Sequence, residues 1–80
     1  MATMISDDLR SVGEAAFGPR WQRDLARALE TDERLLRRWV AGGRPLPATL
    51  PARLDAVIIT RITGLMAARR RLQRALKAAA

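Results

Sequence analysis

Glycine and proline breaks, together with an N-cap signal at Thr31-Asp32, cut this chain into four stretches, and none of the four alternates apolar with polar side chains. Without a period-two pattern there is no strand to predict, so the apolar residues have to be buried between helices. The breaks fall at Gly18-Pro19, at Gly42-Gly43 and along Arg44-Pro45-Leu46-Pro47. They predict a first helix from Ser6 to about Phe17, with Ser6 as N-cap and Asp7 and Asp8 at the positive end of its dipole. A second helix is expected from Pro19 to Leu29, and a third from Thr31 or Asp32 to the glycine pair, where one glycine takes a left-handed position. A fourth starts between Ala48 and Pro51, proline being tolerated in a first turn, and runs into the high seventies. The closing Ala78-Ala79-Ala80 is expected to fray. The fold class is therefore all-α: a compact domain of three to four helices over residues 1–60, followed by a basic extension of the last helix over 61–80.

Eighty residues allow one small domain with a core that is marginal by itself, which favours a partner subunit. The chain has no cysteine and no histidine, so disulfides, thiolate metal sites and acid–base chemistry near neutral pH lack their usual side chains. The carboxylates stand singly on basic helices, Gly42-Gly43 is a helix stop rather than a phosphate cradle, and nothing resembles a calcium loop. The expectation is a protein that is not an enzyme and has neither cofactor nor metal. The N-terminus, Met1-Ala2-Thr3-Met4-Ile5-Ser6-Asp7-Asp8, has no basic and apolar leader pattern. The run Ala56-Val57-Ile58-Ile59 is far shorter than the roughly 20 residues of a membrane span, so a cytoplasmic location and no membrane partner are expected.

Fifteen basic residues against eight acidic ones give a net charge of +7, and fourteen of the fifteen are arginine. That sign points to polyanions, nucleic acid first and an anionic membrane surface second. A GC-rich coding bias can raise the arginine count, but it does not decide where the charges fall. Residues 1–30 carry a net of −1, residues 31–55 a net of +2, and residues 56–80 a net of +6 with no acid.

The second and third predicted helices carry the most information. The second puts Leu25, Ala26 and Leu29 on one face with Trp21 one turn upstream; the third puts Leu35, Leu36, Trp39 and Val40 on one face. The opposite face of the third carries Glu33, Arg34, Arg37 and Arg38. A connection of two or three residues around Glu30-Thr31 makes the helices cross steeply and share a core of Leu25, Leu29, Leu36 and Trp39. Both tryptophans read as packing residues. A helix about 10–12 Å across, with arginines on its outer side, fits a B-DNA major groove roughly 12 Å wide.

Gln22-x-x-Leu25-Ala26-x-x-Leu29-x-Thr31-x-x-x-x-Leu36-x-x-Trp39 resembles the helix-turn-helix signature of Cro/XRE-type DNA-binding domains, and Ala41-Gly42-Gly43-Arg44-Pro45-Leu46-Pro47 resembles the loop that follows it there. The resemblance covers about residues 9–60. It implies a compact helix-turn-helix domain with a recognition helix at about 32–41. It further implies that Gln22 faces phosphate or a base edge, that Glu33, Arg34, Arg37 and Arg38 lie in the groove, and that Arg44 touches the backbone. One departure is Glu30, at the turn position where glycine is usual. It must take a left-handed conformation, at about 1 kcal/mol, or adopt a different turn.

The last helix carries Ile58, Ile62, Leu65, Leu72 and Leu76 at alternating steps of three and four, with Arg69 in the missing slot. This is a short heptad seam and predicts dimerisation. Leu54, Val57 and Ile58 are also placed to close the core of the preceding helices. Gly64 weakens the helix and marks a kink or a close crossing. Arg69, Arg70, Arg71, Arg74 and Lys77 have three readings: phosphate contacts, pairing with Asp7, Asp8 and Glu14 of a neighbour, or solubility. The expected function is a homodimeric, nucleoid-associated transcription regulator of bacterial or phage type that binds double-stranded DNA, more a repressor than an activator. Further expected partners are another regulatory protein or RNA polymerase. The alternative is a DNA-holding interaction module, antitoxin-like or a phage-packaging subunit, whose last helix grips a different protein. Membrane binding by that helix, an arginine-rich amphipath, is the remaining rival.

Overall fold

The computed structural model describes residues 4–79; Met1-Ala2-Thr3 and Ala80 lie outside it. Its described residues form four helices and no strand: α1 (Ser6–Phe17), α2 (Trp21–Ala28), α3 (Glu33–Ala41) and α4 (Leu50–Ala79). The all-α expectation holds, and α4 is the long C-terminal helix.

Each boundary has a local cause. Gly18 ends α1 at φ 83°, with its N–H donating to the Glu14 carbonyl. Pro19 and Arg20 form a turn, so α2 begins at Trp21 rather than at Pro19 and ends at Ala28, with Leu29 as its C-cap. Asp32 caps α3, its carboxylate accepting from the Arg34 N–H at 2.8 Å. Gly42 closes α3 in the left-handed region. There Gly42 N–H reaches Trp39 O and Gly43 N–H reaches Arg38 O, the paired bonds of a Schellman motif.

The same pair of bonds closes α2, from Glu30 N–H to Arg27 O and from Thr31 N–H to Ala26 O. Glu30 therefore takes the left-handed conformation, φ 54°, in place of glycine. Of the two turns open to this sequence, the chain adopts the strained one and keeps the tight connection.

Ser6 corrects an expectation. The N-cap of α1 is Ile5, whose N–H is held by the Asp8 carboxylate at 2.9 Å. Ser6 is the first helical residue, and its hydroxyl donates to the Trp39 carbonyl at 2.8 Å. The side chain serves a tertiary contact between α1 and the end of α3. At the other end of the described residues, α4 is helical through Ala78 and Ala79, and Ala80 of the stretch expected to fray lies outside them.

The core contains Leu9, Trp21, Leu25, Ala26, Leu29, Leu36, Trp39, Leu50 and Leu54. It includes the four residues predicted for the α2–α3 contact and both tryptophans. Val57 packs against it half-buried; Ile58, also expected to close the core, is half-buried but is not among the side chains packed on it. Gly13 is buried on α1, where a Cβ would overlap the Trp21 ring, so the missing side chain is what lets α1 and α2 approach.

The first turns of α4 dock on this head. Arg53 donates to the Leu29 carbonyl at the end of α2. Arg61 Nε donates to the Ala16 carbonyl near the end of α1 at 2.9 Å, with its guanidinium 4.9 Å from the centroid of the Phe17 ring. Both place a cation at the negative end of a helix dipole. Beyond Arg61 every described residue of α4 is exposed. The helix runs unbroken across Gly64, and the molecule is elongated, 53 × 27 × 19 Å.

Candidate nucleic-acid interface

Leu36 and Trp39, 0% and 4% exposed, fasten α3 to the head by one side. With the helix pinned by those two side chains, the side that carries Arg34, Arg37 and Arg38 has to face outward, and all three are exposed. The Asp32 cap and the Gly42 stop limit α3 to nine residues, about 14 Å at 1.5 Å per residue.

Glu33 and Arg37 form an ion pair one turn apart, Oε1 to Nη2 at 2.9 Å. It is the one ion pair within 4 Å among the described residues, and it leaves the Arg37 side chain 62% exposed. A surface pair of this kind contributes about 0.3–0.5 kcal/mol, little enough to exchange for a phosphate or a base edge. Arg34 and Arg38 make no such pair.

The two ends of α3 are flanked differently. At its start, Gln22 and Glu33 share a shallow depression with Pro19, Arg20, Arg23 and Asp24. Both are half-buried, so the structure brings together the residues singled out on α2 and α3. At its end, Arg44 is exposed and lines a second depression with Ser6, Gly42 and Gly43, where α1 meets the loop after α3. Arg44 is thus separated from Gln22 by the length of α3.

Arg20 and Arg23 were not anticipated. They sit at the start of α2, where the dipole disfavours a cation and no side chain caps the first turn. The available signal was that misplacement: arginines at a helix N-terminus suit an anion held between them and the open N–H groups.

The seam residues form a separate set. Ile58 is half-buried, whereas Ile62, Leu65, Leu72 and Leu76 are 51, 62, 64 and 70% exposed. Among the described residues no cluster of acidic side chains could hold a metal ion, and no helix is long and apolar enough to cross a membrane. Comparison with family models, with curated proteins and with solved structures finds no match for this chain.

Proposed function

We propose that this chain is a sequence-specific, double-stranded DNA-binding transcription regulator, a repressor of bacterial or phage type that works as a homodimer in the cytoplasm, on the nucleoid. The observation that carries the reading is α3 itself, fastened by Leu36 and Trp39 and lined outward by Arg34, Arg37 and Arg38. In the major groove Arg37 and Arg38 each have the fork that reads guanine O6 and N7. Arg34, nearest the helix start, reaches base edges first. Glu33 orients Arg37 until the groove is filled, then accepts from a cytosine amino group. Gln22, with Arg20 and Arg23 at the open start of α2, holds phosphate on one side of the groove, and Arg44 holds it on the other.

Selection of bound fragments from a random duplex library tests this, with a palindrome of fixed half-site spacing as the expected product. Against the selected site, Arg37→Ala or Arg38→Ala costs about 1–3 kcal/mol of binding and relaxes base preference, while Arg44→Ala weakens all sequences alike. Equal, sequence-independent losses from all three variants would reduce α3 to a backbone grip.

The exposed stripe on α4 favours a second reading, a DNA-holding interaction module of antitoxin or phage-packaging type that docks a different protein there. Light scattering separates the two: a dimer of the purified chain supports the regulator, and an obligate hetero-complex supports the module.

A further inference from the structure

The distal half of α4 holds most of the exposed large apolar side chains among the described residues. Ile62, Leu65, Leu72 and Leu76 lie on one side of the helix, Met66 beside them is 56% exposed, and Arg69 interrupts the stripe at its middle. Asp55 is the only carboxylate on α4, and none follows it.

These facts decide how a second copy can cover the stripe. In a parallel pair each seam residue faces itself, so Arg69 would meet the partner's Arg69 in one layer of an apolar seam. The cationic stretches Arg69-Arg70-Arg71, Arg74 and Lys77 of both copies would then run side by side with no acid between them. An antiparallel pair centred at Ala67 takes the two Arg69 out of a shared layer, about 6 Å apart along the axis, and carries Arg74 and Lys77 about 21 and 30 Å from their counterparts. Ile58 meets the partner's Leu76, Ile62 meets the partner's Leu72, and Leu65 covers the aliphatic stem of the partner's Arg69, whose guanidinium reaches water. The flanking positions are Ile59, Met66 and Gln73 on one side and Arg61, Ala68 and Ala75 on the other; the one charge among them, Arg61, is held by the Ala16 carbonyl and faces the partner's Ala75, so no flanking charge meets its like. Lys77 of each helix falls beside the turn that carries the partner's Asp55.

We propose that a second copy of this chain covers the α4 stripe in antiparallel order, centred near Ala67, with Ile62 against the partner's Leu72. The pairing itself does not depend on DNA binding. Its use does rest on that reading. The two Leu54 anchor points, where each α4 leaves its head, come to lie about 39 Å apart along the pair at 1.5 Å per residue. That separation is close to the 34–36 Å between half-sites one turn apart on DNA.

The absence of native cysteine makes the test clean, because an introduced thiol is the only one in its chain. Full-length Ile62→Cys and Leu72→Cys proteins, mixed and oxidised, are expected to form the mixed disulfide while neither variant links to itself. Identical positions sit about 15 Å apart along the axis, beyond the roughly 7 Å that Cα atoms can span in a disulfide. A nitroxide pair at Lys77→Cys, off the seam, is expected about 30 Å apart along the axis. Self-linking of Leu72→Cys, a short distance between the labels, or a monomeric mass for the unmodified chain overturns the proposal. So does a chain that pairs only with a different protein. No DNA is present in these measurements. The expected cross-links without a selected duplex would defeat only the DNA-binding reading, and a selected palindrome with parallel cross-links would defeat only the pairing.

Discussion

Leu50 and Leu54 open α4 at 0% and 3% exposure, whereas Leu65, Leu72 and Leu76 of the same helix are 62, 64 and 70% exposed. The arginines divide at the same place. Arg53 and Arg61 are tied to carbonyls at the ends of α2 and α1, while Arg70, Arg71 and Arg74 reach only solvent. One continuous helix thus supplies a wall of the head and then a rod whose leucines and arginines have no intramolecular partner. Residue type does not distinguish the halves; position relative to the rest of the chain does. In the head an apolar residue is stabilised by neighbours in its own chain, and in the rod the described chain supplies no such neighbour.

The sharpest break in this comparison comes from truncating one leucine in each half. Leu54→Ala removes a buried side chain and should cost about 2–5 kcal/mol in urea unfolding of the head. Leu65→Ala in a dilute, monomeric sample should stay within about 0.5 kcal/mol, its effect appearing instead as weaker self-association by light scattering. Equal losses at both positions would mean that the rod and head fold as one unit even without a partner.

Gly13→Ala comes next. Its Cβ would overlap the Trp21 ring, so α1 and α2 must separate, at about 1–3 kcal/mol, with a change in tryptophan fluorescence. The arginine comparison is smaller. Arg61→Ala loses a hydrogen bond to Ala16 O and the stacking on Phe17, about 1 kcal/mol of stability, seen as a lower thermal midpoint of the head. Arg71→Ala should leave that midpoint unchanged, since its side chain touches none of the head.

Sequence and structure agree where the deciding interaction is local. Gly18 and Gly42 stop helices because of their own backbone freedom, Asp32 caps α3 through an N–H two residues on, and the arginine side of α3 follows from spacing alone. The left-handed Glu30 was legible too, as one of two options, because the short connection left little else. What escaped the sequence depends on elements distant in the chain. Ser6 looks like a cap until the Trp39 carbonyl lies beside it, and Gly13 looks like a weak helix residue until Trp21 arrives. Arg53 and Arg61 read as two more basic residues, because nothing in their surroundings along the chain announces the ends of α2 and α1. At the candidate interface, Gln22 and the α3 arginines were legible by pattern. Arg20 and Arg23 showed in the sequence only as cations misplaced at the start of a helix, and in the structure they share a depression with Gln22 and Glu33.

The mildest test lies at the junction of the two halves. Gly64 has no atom of another element near its absent side chain and stands three residues beyond Arg61, which is hydrogen-bonded to the head. Gly64→Ala should add at most about 1 kcal/mol, through helix propensity alone. The rod beyond it is not much longer than the 12–15 residues at which an isolated helix becomes marginal in water, so that gain matters to its population. In a dilute monomer the expected outcome is more helical circular dichroism with no shift in the unfolding midpoint of the head. At concentrations where copies associate, the same substitution should tighten the dimer, because less ordering remains to be done on pairing. A rise in the head's midpoint at dilution would show instead that helix order passes through residue 64 into the core, and that the head and the rod are one cooperative unit.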